Sequence, residues 1–221
     1  MKLNRRNILI ATVAAAAGIA QAQTVSDTEI VVGTHIDLSG PAAAGMPMLR
    51  NGMQMKIDEV NAAGGIHGRK IKLLVEDNGS QPQQAVRAVQ KLIKSDNAFA
   101  ILNSFGSGPN AATVKMANDA GVIVFAPWAA SGIIQKVSGN SPLLFTTVQN
   151  YDTTTAYGLA WALKNWKSQK VGVIYQEGPF GDLVRAGVNS ALKEAGQTVA
   201  AEAAYKVGDI DFSSQVAKLK A

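Results

Sequence analysis

The sequence predicts an α/β fold of two lobes, each built around a parallel β-sheet. Short β-branched segments alternate with helical segments of ten residues or more along the chain. Such alternation is typical of parallel strands joined by crossover helices that cover both faces of a sheet. The alternation is interrupted once, by a connection rich in Thr and Asn, and then resumes. We therefore expect two successive lobes rather than one continuous sheet.

The first strand is predicted by EIVVGTHI (Glu29–Ile36), which is apolar, β-branched and followed by a Ser-Gly-Pro turn. In the next segment apolar residues from Met46 to Val60 recur at spacings of three and four, which predicts a helix with one buried face. The second strand is KIKLLVE, residues 70–76. Asp77 and Asn78 close this strand, and we expect them to stabilise the turn.

The second helix is predicted to begin at Ser80-Gln81-Pro82-Gln83, which has the form of a capping box. AFAIL, residues 98–102, predicts the third strand. Pro109 is expected to begin the third helix, and VIVFAP, residues 122–127, predicts the fourth strand.

The second lobe is expected after a connection at residues 141–153. Its predicted elements are a helix at 154–166, a strand at 170–175, a helix at 180–195, a strand at 198–205 and a helix at 212–220. We assign residues 27–147 to the first lobe and 148–221 to part of the second. A sheet of two strands leaves much of its apolar face uncovered, so the second lobe is expected to be incomplete in this chain.

Residues 1–22 have the pattern of a cleaved export signal. A basic start is followed by 13 apolar residues and by AQA, with small residues at Ala20 and Ala22. The apolar run is shorter than the roughly 20 residues that cross a bilayer. We expect the mature chain to begin at Gln23. Arg5-Arg6 leaves both the general secretory and the twin-arginine route open.

The mature composition excludes several classes of protein. Removal of the signal leaves 18 Lys and Arg against 16 Asp and Glu, a balance that does not predict nucleic-acid binding. The chain has no cysteine, which excludes disulfides, thiolate metal sites and a lipid-modified cysteine. His35 and His67 lack the spacing of metal ligands, so no metal site is predicted. An exported chain without cysteine is compatible with a periplasmic location.

The segment 106–111, GSGPNA, fits the glycine pattern of a dinucleotide-binding turn. That fingerprint belongs to the first strand–helix turn and needs an acidic residue about 20 positions later. Here it follows the third strand, and residues 125–131 contain no carboxylate. A nicotinamide-dependent oxidoreductase therefore remains only as an alternative. The free N–H groups of a helix start still favour an anion, with Gly106 allowing close approach and Ser107 adding a hydroxyl.

Several segments, in order along the chain, resemble the periplasmic branched-chain amino acid-type solute-binding proteins of ABC importers. These segments are IDLSGP (36–41), VNAAGGIHGRKIKLL (60–74), EDNGSQPQQAV (76–86), PFGD (179–182), LKEAG (192–196) and DFSSQVAKLKA (211–221). The resemblance implies a type I periplasmic-binding fold of two Rossmann-like lobes. It also implies a longer protein, because members of this family extend well beyond the length of this chain.

The resemblance implies a non-enzymatic, periplasmic trap without cofactors. The trap closes on a small solute and delivers it to an ABC permease in the inner membrane. A ligand-sensing domain of a receptor shares this fold and remains an alternative.

In the resembled family the turns after the third and fourth strands hold the carboxylate and ammonium of an amino acid. The resemblance thus assigns ligand contacts to Gly106 and Ser107, and to Trp128, Ala129 and Ser131 in the second turn. A serine that only caps its helix is the alternative for Ser107.

Two aromatic residues are further candidates for ligand contact. Tyr151 follows the crossover between the lobes, where Asp152 can alternatively act as a helix cap, and Phe180 lies where family members offer an aromatic side chain. Residues 44–46 lack the aromatic residue that is common in amino-acid binders, and Trp128 replaces a small residue. These departures favour a larger or flatter carboxylate, aromatic or otherwise organic, over a leucine-like solute.

Overall fold

The computed structural model describes residues 25–167 and 170–220. The predicted signal at 1–22 lies outside these residues. The described strands are β1 (Glu29–Ile36), β2 (Lys70–Asp77), β3 (Ala100–Leu102), β4 (Ile123–Phe125), β5 (Leu144–Phe145), β6 (Gly172–Gln176) and β7 (Ala201–Tyr205). The described helices are α1 (Met46–Ala62), α2 (Pro82–Lys94), α3 (Ser107–Asp119), α4 (Gly132–Ser138), α5 (Tyr151–Trp166), α6 (Pro179–Glu194) and α7 (Ser213–Lys220). None of these helices combines the length and apolar character needed to cross a bilayer.

The first sheet contains five parallel strands in the order β2-β1-β3-β4-β5. The predicted α/β class with parallel sheets is confirmed. The fifth strand was not predicted: Leu144 and Phe145 pair with Val124 and Phe125 inside the segment that was assigned to a connection. Two residues are too few to produce a periodic pattern, and only the pairing with β4 makes them a strand.

Helices cover both faces of the first sheet. On one face α2, α3 and α4 enclose a core that includes Leu92, Ile101, Val114 and Ile134, each at most 1% exposed. On the other face α1 contributes Ile57, which packs against the strands. This arrangement leaves the carboxyl ends of the strands free to form a site.

The second sheet consists of β6 and β7, which pair in parallel. Val173 of β6 packs with Val188 and Leu192 of α6, and α5 covers the same cluster. The chain passes from the first sheet to the second between the end of β5 and the start of α5. The lobe boundary at residues 147 and 148 falls within this connection and stays a prediction.

Three helix starts differ from the predictions, and α4 was not predicted. Helix α5 begins at Tyr151 rather than at residue 154. The capping box is wrong: α2 begins at Pro82 after Gln81, and the Ser80 hydroxyl donates to Asp37 Oδ2 (2.6 Å) rather than to its own helix. Ser80 has a positive φ of 57°, which turns its side chain away from the helix. Helix α3 begins at Ser107, two residues before Pro109, because Gly106 makes the turn into it.

A buried polar cluster joins β1, β2 and α3 beneath the carboxyl end of the first sheet. The Asn78 amide donates to Nδ1 of His35 (3.0 Å) and to the carbonyl of Phe105 (2.9 Å). Since Nδ1 accepts, the proton of the neutral ring is on Nε2, which faces the Thr113 hydroxyl at 3.5 Å. Burial lowers the pKa of His35 to about 4. The folded protein therefore keeps this imidazole neutral.

The neutral state of His35 makes stability depend on pH. The folded pKa lies below the unfolded value of about 6.5, so the unfolded state binds an additional proton between these values. We expect the free energy of unfolding to fall by about 2–3 kcal/mol as pH decreases from 7 to 4.5. Urea unfolding at the two pH values measures this change, and His35→Gln should remove most of it.

The matched control is His67→Asn, since His67 is an exposed histidine in a turn. This variant should keep the full pH dependence. An undiminished pH dependence in His35→Gln would contradict the role assigned to the buried imidazole.

Candidate functional site

A cavity of about 520 Å³ opens between the carboxyl ends of the two sheets. The segments that follow β1, β2, β3 and β4 line one side, and those that follow β6 and β7 line the other. The start of α5, in the connection between the sheets, completes the lining with Tyr151. In open α/β sheets this end of the strands is where ligands bind.

Backbone hydrogen bonds hold the turn after β3 against the turn after β4. The Phe105 N–H donates to the carbonyl of His35 (2.9 Å), and Gly106 N–H donates to that of Trp128 (3.2 Å). Trp128 N–H in turn donates to the carbonyl of Ser104 (2.8 Å). These bonds extend the pairing of β3 with β1 and with β4 beyond the strands, so both turns are placed by the sheet itself.

Gly106 makes the entry into α3 possible. Its φ of 97° and ψ of 135° lie in a region that residues with a side chain rarely adopt. The Asn110 side chain stabilises the turn by donating to the carbonyls of Ser104 (3.0 Å) and Gly106 (2.9 Å), and it accepts from the Ser104 hydroxyl (2.5 Å). The turn is thus held in one conformation before any ligand binds.

Ser107 is the first residue of α3 and lines the cavity together with Gly106. Only 5% of its surface is exposed, although it is one of the residues that line the cavity. The N–H groups of Ser107 and Gly108 lie in the first turn of the helix, where no carbonyl of the same helix can accept them. The hydroxyl and these N–H groups are available to a ligand.

Of the three predicted contact residues in the turn after β4, one lines the cavity and two do not. Trp128 lines the cavity and is 49% exposed. Ala129 and Ser131 do not line it and are buried at 2% and 3% exposure. The Ser131 hydroxyl is buried and has no hydrogen-bond partner among the described residues. Their ligand contacts stay predictions without support from the cavity.

Four aromatic rings line the cavity as two edge-to-face pairs. Phe105 and Trp128 belong to the first sheet, with centroids 5.7 Å apart. Tyr151 and Phe180 form the second pair, with centroids 4.9 Å apart. The pairs come from opposite sides of the cavity, because Phe180 lies in α6, the helix that follows β6 in the second sheet.

Helix α6 presents its amino end to the same cavity, which Gly178 and Pro179 line. A side chain at Gly181 would place its Cβ 1.7 Å from the carbonyl oxygen of Gln176, so glycine lets α6 begin directly against the end of β6. The helix also contacts α3. The positive ends of two helix dipoles are therefore near the cavity.

Charged side chains contribute little to this cavity. The described lining contains no Lys or Arg, and its one carboxylate is the exposed Glu177. The nearby carboxylate of Asp37 is occupied within the fold, since it accepts from the N–H of Gly40 (2.5 Å) and Ala42 (2.8 Å) and from the Ser80 hydroxyl. An anion in the cavity would be held by N–H groups and hydroxyls rather than by a cation.

Several lining residues were not predicted from the sequence. They are Pro41 and Ala42 after β1, residues 80–82 after β2, Phe105, Gly108 and Pro109 around the turn after β3, residues 176–179 at the end of β6, and Val207 after β7. Each follows a predicted strand, so the rule that ligands bind at carboxyl ends could have identified them. Among the described residues no cluster of three or more acidic or histidine side chains could hold a metal ion.

Comparison with known proteins identifies one family for nearly the whole described chain. The family model for periplasmic binding proteins matches residues 29–221. A Leu/Ile/Val-binding protein of Rhizobium johnstonii is 28% identical over 196 residues, which are 89% of this chain and 53% of that protein. The chain thus spans about half the length of the curated relatives it matches.

Solved structures agree with this match. A fatty acid ABC transporter substrate-binding protein of Thermomonospora curvata is 29% identical and superposes with a TM-score of 0.77, covering 92% of this chain and 51% of its own. A branched-chain amino acid transporter substrate-binding protein of Streptococcus pneumoniae, solved with isoleucine, is 25% identical with a TM-score of 0.76. That similarity covers 87% of this chain and 54% of the pneumococcal protein.

The turn into α3 should not tolerate a side chain at Gly106. Gly106→Ala forces a Cβ into a strained backbone conformation and to 3.1 Å from Pro109, so we expect a loss of about 1–3 kcal/mol in unfolding free energy. Gly108→Ala is the matched control, because Gly108 lies within the helix and its added Cβ meets only Pro82 at 3.5 Å. Equal unfolding free energies for the two variants would contradict this account of the turn.

Proposed function

Since the chain belongs to the periplasmic binding protein family, we propose that it is the extracytoplasmic solute-binding component of an ABC importer. It captures a small carboxylate-bearing solute between its two lobes and makes or breaks no bond. The location is the periplasm, reached through a cleaved signal peptide, and the partner is a permease in the inner membrane. Relatives that are named as binding proteins support capture without catalysis.

The observation that carries this proposal is the cavity at the carboxyl ends of both sheets. It combines the amino ends of α3 and α6 with the hydroxyl of Ser107, a lining residue that is 5% exposed. Free N–H groups and helix dipoles attract an anion, and a carboxylate fits them as well as a phosphate does. The names of the relatives point the same way, because isoleucine and fatty acids both carry a carboxylate on an apolar body.

Capture follows from contact with both sides of the cavity. The solute's carboxylate rests on the turn after β3, and its apolar body contacts Trp128 on one side and Phe180 on the other. A solute that contacts both sides binds the closed arrangement more tightly than an open one, and this difference shifts the population toward closure. The permease then recognises the closed form.

Solute capture should raise the thermal stability of the full-length exported protein. A thermal-shift screen of amino acids, aromatic acids and fatty acids tests this directly. A solute present at 100 times its Kd adds about 2.7 kcal/mol to the unfolding free energy. For a protein about as long as the curated relatives, of which this chain spans about half, we expect a rise in Tm of about 3–4 °C.

The matched controls for this screen are the primary amides of the same compounds, which keep the shape and lose the charge. A screen in which amides stabilise the protein as much as their acids would contradict capture through a carboxylate.

Ser107→Ala should weaken binding without unfolding the protein. The variant removes one hydrogen bond to a charged group, which costs about 1.5–3 kcal/mol of binding free energy, or roughly a ten- to hundredfold loss of affinity. Calorimetric titration of the solute selected by the screen measures this loss. Melting should change less than binding, because the loss of a serine at a helix start costs about 1 kcal/mol of unfolding free energy.

The control is Ser95→Ala, an exposed serine at the end of α2 that does not line the cavity. It should leave the affinity unchanged. Unaltered affinity in Ser107→Ala, together with a lowered Tm, would mean that this serine only stabilises its helix.

A further inference from the structure

We propose that the cavity between the two sheets, called the cleft from here on, selects aromatic carboxylates that carry no ammonium group. The ring is held between the two aromatic pairs and the carboxylate lies at the start of α3. This inference rests on the proposed function, since it names the solute class for the same cleft.

The apolar surface of the cleft is flat and rigid rather than aliphatic. Its described lining contains the four aromatic rings and four prolines, while Val207 is its one branched aliphatic side chain. Flat rings pack against other flat rings in stacked or edge-to-face arrangements. These arrangements add interaction free energy beyond that of the buried apolar area. A branched aliphatic solute would meet few surfaces that match its shape.

The rings are accessible before a solute binds. Trp128 is half exposed although its edge-to-face contact with Phe105 fixes its place. Tyr151 is similarly fixed, since its N–H donates to the carbonyl of Ala130 (2.8 Å) and its ring packs on Phe180. Both pairs are therefore arranged before a solute binds. When a ring enters between them, the protein loses little conformational entropy.

The charge distribution accepts one negative group. Ser107 is 95% buried, lines the cavity and carries its hydroxyl beside the N–H groups of the first turn of α3. No cationic side chain in the described lining competes for that position. A single carboxylate on the solute matches this set of donors.

A zwitterion matches the cleft less well. An amino acid brings an ammonium group, and the one carboxylate in the described lining, Glu177, is exposed. An ion pair that is exposed to solvent contributes little to binding free energy. Asp37 is engaged by N–H groups of its own loop and by the Ser80 hydroxyl. An ammonium group in the cleft would thus lose water without gaining a buried counter-charge from the residues that the structure describes.

The probes that test the inference are benzoate, cyclohexanecarboxylate, benzamide and L-leucine. Calorimetric titration of the full-length protein is expected to give at least tenfold tighter binding for benzoate than for each of the other three. Cyclohexanecarboxylate keeps the charge and loses the flat ring, and benzamide keeps the ring and loses the charge.

A variant assigns the ring preference to the cleft. Trp128→Leu should lower the affinity for benzoate about three- to tenfold and lower the affinity for cyclohexanecarboxylate less. The control Trp166→Leu removes a tryptophan that is 70% exposed at the end of α5 and does not line the cavity, so benzoate affinity should not change.

The outcomes separate this inference from the proposed function. If L-leucine or cyclohexanecarboxylate binds as tightly as benzoate, the aromatic preference is overturned while capture of carboxylates stands. If benzamide binds as tightly as benzoate, capture through a carboxylate fails, and this inference fails with it. If benzoate does not bind, the inference fails, and only binding of another carboxylate then preserves the proposed function.

Discussion

The side-chain amide of Asn78 is the interaction on which the rest of the cleft depends. From the end of β2 it donates to the His35 ring at the end of β1 and to the Phe105 carbonyl after β3. Three strand ends are thus fixed by one buried group. Because Phe105 leads directly into Gly106 and α3, the position of the candidate anion site follows from this junction. Loss of the junction would leave the helix intact and displace its amino end.

Among residues 25–167 and 170–220, the groups of the cleft that can attract an anion are hydrogen-bond donors, and none of its lining side chains is a cation. Its donors are the N–H groups of helix starts and the hydroxyl of Ser107, which the sheet holds in place. A lysine in the same place would bind an anion from water but would have to lose its own hydration first. Backbone donors that are already oriented avoid much of that cost, and they leave space for aromatic rings such as Trp128 and Phe180.

The sequence predicted the regular parts of the fold and missed features that depend on tertiary contacts. The bounds of β1 agree with its prediction, because an apolar, β-branched run between turns has few alternatives. Strand β5 was missed because its two residues become a strand only through β4. The Ser80 capping box failed because Asp37, 43 residues away, binds that hydroxyl instead. Of the predicted contact residues, Ala129 and Ser131 do not line the cavity. The local sequence does not determine in which direction a buried side chain points.

A crystal structure of the full-length protein with the tightest solute from the screen tests the central claim most directly. We expect a carboxylate with one oxygen within about 3 Å of the Ser107 hydroxyl and another near the first N–H groups of α3. The apolar body of the solute should lie between Trp128 and Phe180. A solute bound away from the start of α3, or one whose carboxylate points to solvent, would contradict the account.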